Sequence, residues 1–233
     1  MIPLRDDNPS ELKPVVAIAL IVVCTLVFLW QISHGSQGAQ AVIYSLGLIP
    51  SVLFGINTLP EELASVPPTL TLFTSMFLHG GWLHLIGNML YLWIFGDNVE
   101  DAMGHVRFFL FYIVCGIAAA LAQAVPDPSS TVPMVGASGA ISGVLGAYLL
   151  LYPHARVLVG IPLGFYFHMT RLPAGMVLLL WFGLQFLSNV LSPPSAGGGV
   201  AFRAHIGGFV AGMVLVVLFK RRGFRLMNPI RSS

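Results

Sequence analysis

From Pro14 to Ser33 the chain carries no charged residue. An α-helix rises about 1.5 Å per residue, so such a run reaches across the roughly 30 Å hydrocarbon core of a bilayer. Within hydrocarbon a backbone must satisfy its own hydrogen bonds, which leaves helices or a closed barrel. Apolar stretches bounded by Pro, Gly or charge recur over 82–97, 105–124, 136–152, 172–191 and 203–219. With 56% hydrophobic and 9% charged residues the composition excludes an ordinary soluble domain. The expected fold is an all-α polytopic membrane protein of six transmembrane helices, forming one membrane domain over 1–233. A cleaved signal peptide does not fit the first span, whose apolar core is too long and lacks an Ala-x-Ala ending.

The basic residues give this map a direction. Of the 11 Lys and Arg, Arg5, Lys13, Arg107, Arg156, Arg171, Lys220, Arg221, Arg222, Arg225 and Arg231 fall on one side of it. Only Arg203 does not, and the loops 35–79, 125–135 and 192–200 on the other side contain none. Short basic loops stay cytoplasmic, so both termini are expected in the cytoplasm. The net charge of +2 hides this asymmetry and implies no nucleic-acid partner. Cys24 and Cys115 fall inside spans, where they act as small apolar residues, and no redox role follows. The loop 35–79 is the only connection expected to build a substructure of its own.

Counting helix rise from the basic end brings several polar residues to one depth. Ser138 lies about 21 Å above Tyr152, His205 about 22 Å above Lys220, and His84 about 20 Å above Asp97. Asn88 follows His84 one turn later on the same face. Such groups are costly against lipid and mark an interior or wet cavity. A serine needs a base to become a nucleophile, and Ser138 with His205 supplies that pair. Other intramembrane chemistries lack their parts: no His-Glu-x-x-His is present for zinc, and Asp and Glu fall outside the spans or at their margins. A dyad is expected rather than a triad, with no metal and no cofactor. Ser142 is the rival nucleophile, about 6 Å deeper and without the flanking glycine pattern.

These residues resemble the rhomboid intramembrane serine proteases over nearly the whole chain. The family's Gly-x-Ser-Gly matches Gly136, Ser138 and Gly139, its His-x-x-x-Asn matches His84 and Asn88, and its Ala-His-x-x-Gly-x-x-x-Gly matches Ala204, His205, Gly208 and Gly212. The resemblance implies a rhomboid-like six-helix bundle that hydrolyses peptide bonds in or near the transmembrane helix of single-span substrates. It implies Ser138 as nucleophile, His205 as general base and acid, and His84, Asn88 and the Ser138 backbone N–H as oxyanion donors. Gly139, Gly143, Gly146, Gly208 and Gly212 would let two helices approach closely.

Two positions depart from the family pattern. The Trp-Arg pair of many members is replaced by Leu70 and Thr71, so loop anchoring is expected to differ. The aromatic residue that in some members follows the nucleophile by four is replaced by Ser142, so orientation of His205 must come from elsewhere. His79 is expected to be a structural hydrogen-bonder, and His34, His105, His154 and His168 to sit near span ends. Val132 to Val135 should leave helical form, 192–199 with three consecutive glycines should be a cap, and Trp181, Phe182, Gln185 and Phe186 should form a lateral wall. The expected location is a prokaryotic cytoplasmic membrane. The competing reading is a catalytically silent binder or quality-control factor for membrane proteins.

Overall fold

The computed structural model describes residues 1–164, 166–191 and 202–227. Helices dominate: α1 (Val15–Ser33), α2 (Gly35–Leu46), α3 (Trp82–Met103), α4 (His105–Ala124), α5 (Ser138–Leu151), α6 (Ala174–Leu191) and α7 (Phe202–Phe219). Among the described residues, α1, α4 and α7 are long and apolar enough to cross a membrane, while α5 and 174–184 of α6 are shorter apolar helices.

A three-stranded antiparallel sheet corrects the all-α expectation. Strand β1 (Ile2–Asp6) pairs with β2 (Arg156–Leu163), which pairs with β3 (Tyr166–Pro173) in unbroken register from Arg156↔Pro173 to Leu163↔Tyr166. The segment 156–173 therefore builds a substructure, which had been expected only of 35–79. Its cause is local: Val157 and Val159 alternate with more exposed neighbours and are fully buried, the period of a half-buried strand. Loop 35–79 does build its own substructure, through α2 and short helical turns at Pro50–Leu53 and Thr71–Thr74. Thr74 Oγ1 braces it internally by donating to the Leu46 carbonyl at 2.6 Å, and with no Trp-Arg pair it is tied to the segment before α5 by Leu48 bridging Met134.

Acidic residues at the end of α3 organise the basic end of the molecule. Glu100, fully buried, accepts the N–H groups of Val16 (2.9 Å) and Ala17 (2.8 Å), capping α1 with a charge its helix dipole favours. Asp101 accepts N–H groups of Glu11 and Leu12 and the Arg221 guanidinium at 3.2 Å. These partners let α3 run to Met103, beyond the expected end at Asp97, until Gly104 at φ 80° turns the chain into α4.

Helices α5 and α7 touch backbone to backbone. A Cβ on Gly208 would collide with the Gly139 carbonyl, one on Gly212 with the Gly143 carbonyl, and one on Gly146 with the Phe209 carbonyl. A Cβ on Gly139 would lie 2.6 Å from that of Ala119 on α4. Small residues allow such close helix packing where lipid supplies no hydrophobic drive. Gly212→Ala should lower the melting temperature in detergent by several degrees through overpacking. Gly183→Ala inside α6, where a Cβ meets nothing within 4 Å, should not lower it.

At the sheet, Tyr148 Oη donates to the Asp6 carboxylate at 2.6 Å. Burial, opposed by that bond and aided by nearby Asp97, pushes the Asp6 pKa up to about 7. Between the ordinary carboxylate value and 7 the folded chain holds a proton that the unfolded chain has released. Asp6 therefore costs stability progressively as pH rises through that window. His79, held down to about 4 by burial, has the opposite slope between 4 and its ordinary 6.5. Subtracting the melting curve of Asp6→Asn from that of wild type isolates the first effect: the variant should gain relative to wild type from pH 4 to pH 7.

Candidate active site

The bend into α5 builds the site. Val132, Pro133 and Val135 lie in irregular backbone, as expected, and Met134 is tied to Leu48 by two backbone hydrogen bonds of 2.7 and 3.0 Å. Gly136 adopts φ 124°, a conformation that side chains resist, and donates its N–H to the Ser75 carbonyl at 2.8 Å. Ser138 then opens α5 with its side chain half-buried.

Two side chains of α3 converge on that bend. A Cβ at Gly136 would lie 2.7 Å from both Cε1 and Nε2 of His84 and 3.6 Å from Asn88 Nδ2. Gly136 is thus a glycine for two reasons, its φ and the imidazole packed where a methyl would stand. The Gly80 N–H donates to His84 Nδ1 at 3.3 Å. In neutral imidazole this leaves the proton on Nε2, the atom facing the bend. Asn88 is 8% exposed, and its buried Nδ2 has no hydrogen-bond partner among the described residues. Two donors are thus aimed at the backbone just before Ser138.

His205 lies in the first turn of α7, buried, with the preceding Ala204 N–H donating to Gln123 Oε1 at 3.3 Å. The carbonyl of Ala204 lies 4.0 Å from where a Cβ on Gly139 would be. The neighbours of Ser138 and of His205 therefore face each other across the α5–α7 contact. His205 Nδ1 is buried without a hydrogen-bond partner among the described residues, so no carboxylate orients it there. Its ring instead lies against Trp181 of α6, centroids 5.5 Å apart and planes tilted 38°.

Trp181 in turn contacts Tyr91 and Phe182. Sequence reasoning assigned Trp181 to a lateral wall and missed its contact with His205. The missing aromatic at Ser142 was the available signal. Ser142 is itself fully buried and donates Oγ–H to the Ser138 carbonyl at 2.8 Å, which commits the rival hydroxyl.

His79 hydrogen-bonds, but through its backbone: Gln31 Nε2 donates to its carbonyl at 2.9 Å and Gln31 Oε1 accepts its N–H at 3.3 Å. Its ring packs edge-on against Phe28 and His84. His105 Nδ1 lies within hydrogen-bond distance of Glu100 Oε1, at 2.5 Å. The side chains of Gln185 and Phe186 and the whole of 192–199 lie outside the described residues.

The Rhomboid domain profile matches residues 68–222, which contain every element of this site. The chain belongs to the rhomboid family. It is 32% identical over 204 residues to the rhomboid protease GluP of Bacillus subtilis, covering 87% of this chain and 35% of that protein. It is 29% identical over 198 residues to RHOMBOID-like protein 5 of Arabidopsis thaliana, covering 84% and 59% respectively. Rhomboid protein 1, mitochondrial, of Saccharomyces cerevisiae is 30% identical over 193 residues, covering 74% and 51%. The chain thus spans between about a third and three-fifths of the length of these rhomboid relatives. Like the rest of the family it is membrane-integral, in keeping with its apolar helices.

Gly136→Ala should push His84 away from the bend while sparing the helices. In this rhomboid the ring resonances of His84 should shift while helical circular dichroism stays unchanged.

Proposed function

We propose that this chain is an intramembrane serine endopeptidase in which Ser138 and His205 form the catalytic dyad. The observation that carries the reading is the convergence of His84 and Asn88 on the bend before Ser138, at the point where α5 meets the helix bearing His205. Ser138 Oγ attacks the scissile carbonyl carbon while His205 takes its proton. The developing oxyanion receives hydrogen bonds from His84 Nε2–H, Asn88 Nδ2–H and the Ser138 backbone N–H, one of the free donors at the start of α5. His205 then protonates the leaving amine, and a water hydrolyses the acyl-enzyme by the same proton path in reverse.

In this reading α1, α3, α4, α5, α6 and α7 are six spans of one membrane domain. Helix α5, at 14 residues, reaches only about 21 Å and so starts the nucleophile below the membrane surface. The basic end with both termini faces the cytoplasm, and the substrates are single-span membrane proteins. Gly139, Gly143, Gly208 and Gly212 bring the dyad together. Trp181 is a positioning residue that holds the His205 ring in place of the absent aromatic at Ser142.

Purified protein in liposomes should cleave a single-span reporter, and Ser138→Ala or His205→Ala should abolish cleavage. His84→Ala and Asn88→Ala should each lower kcat by about 100- to 1,000-fold. Trp181→Ala should lower kcat with little change in KM, and Trp181→Phe should restore most of it. A change confined to KM would assign Trp181 to substrate entry instead. Undiminished cleavage by Ser138→Ala would overturn the dyad, and an inert wild type would favour the silent binder.

A further inference from the structure

The end of the molecule opposite Ser138 carries an open cavity of about 440 Å³ lined by Met103, Gly104, His105, Val106, Arg107, Arg221 and Arg222. Its cations come from two elements, the start of α4 and the segment following α7. The carboxylates nearest to it are already engaged. Glu100 caps α1 and pairs with His105, and Asp101 binds Arg221 and the N–H groups of Glu11 and Leu12. Arg107 and Arg222 have no carboxylate partner among the described residues. The cavity therefore keeps an uncompensated positive charge after local pairing.

Two of its three guanidinium groups are also held in place. Arg107 donates to the Lys220 carbonyl at 3.4 Å. Arg221 is fixed by Asp101, by its own N–H to the Ala102 carbonyl at 2.8 Å, and by the Phe224 ring 5.6 Å from its guanidinium carbon. Arg221 Nε is buried and makes no hydrogen bond among the described residues, leaving a donor unused. Planar guanidinium forks match phosphate oxygens in pairs. Beside the cavity the apolar side chains of Val106 and Leu110 on α4 and Leu218 on α7 are exposed, Val106 and Leu218 by 72% and 74%. A charged recess next to bare aliphatic surface suits a phosphate with acyl chains attached.

We propose that this cavity binds the headgroup of an anionic phospholipid, with Arg107 and Arg222 on the phosphate and the acyl chains along α4 and α7. Basic recesses at the cytoplasmic ends of membrane helices are suited to such headgroups. The proposal rests on membrane insertion with the basic end cytoplasmic, and not on peptidase activity.

The test is native mass spectrometry of the full chain released from micelles holding phosphatidylglycerol and phosphatidylcholine in equal amounts. Wild type should retain phosphatidylglycerol in preference. The pair Arg107→Gln with Arg222→Gln should weaken retention by about tenfold or more, and Arg222→Gln alone, at an exposed side chain, by an intermediate amount. Lys13→Gln with Arg156→Gln removes the same charge from exposed side chains outside the cavity and should weaken it less than about twofold. Equal losses in the two double variants, or no preference between the lipids, would overturn the proposal in favour of diffuse attraction. Displacement of the lipid by excess inorganic phosphate would overturn the lipid assignment and make the ligand a soluble phosphate.

Discussion

Contact between the backbones of α5 and α7 is the constraint on which the rest of the molecule depends. Gly208 and Gly212 lie against the carbonyls of Gly139 and Gly143, and any side chain there would force the helices apart. The two helices begin with Ser138 and Phe202, so the contact sets how near the first turn of one comes to the first turn of the other. In a bilayer, where lipid is as apolar as leucine, close packing of this kind takes the place of a hydrophobic core as the force joining helices. The same helix pair thus carries the packing glycines and the two residues of the proposed dyad.

The opposite end solves a different problem. Helix α1 has few polar neighbours of its own, and its first N–H groups are met by Glu100 from α3. Asp101 gathers the chain before α1 and the arginine after α7. Three separate parts of the chain are thus fixed to one turn of α3, the helix that also carries His84 and Asn88 near its other end. Rigidity at the basic end therefore supports the position of the polar residues a membrane's depth away, as a positioned site requires.

Much of this was legible in the sequence because membranes simplify the signals. Helix α4 lies where its apolar run put it, and α1, α6 and α7 fall within two residues of the expected bounds. The motif residues His84, Asn88 and Ser138 gather because helical spacing fixes both their depth and their face. The sheet was missed because Val157 and Val159 sit in an apolar context, between two spans, where a period of two is hard to see. The end of α3 was misplaced because Glu100 and Asp101 read as solvent-facing charges until their partners, more than eighty residues away in the chain, are known. The Trp181 contact with His205 joins two helices, so no local pattern names Trp181; the aromatic absent at Ser142 signals only that support for the imidazole comes from elsewhere.

In the proposed mechanism Ser138 is an activated nucleophile whose proton passes to His205. The most direct measurement is covalent labelling of the purified protein by a fluorophosphonate, followed by mapping of the modified peptide. Adduct should form on Ser138 alone and be lost in His205→Ala although the serine remains. Adduct on Ser142, or equal labelling of Ser138 with His205 removed, would contradict that mechanism.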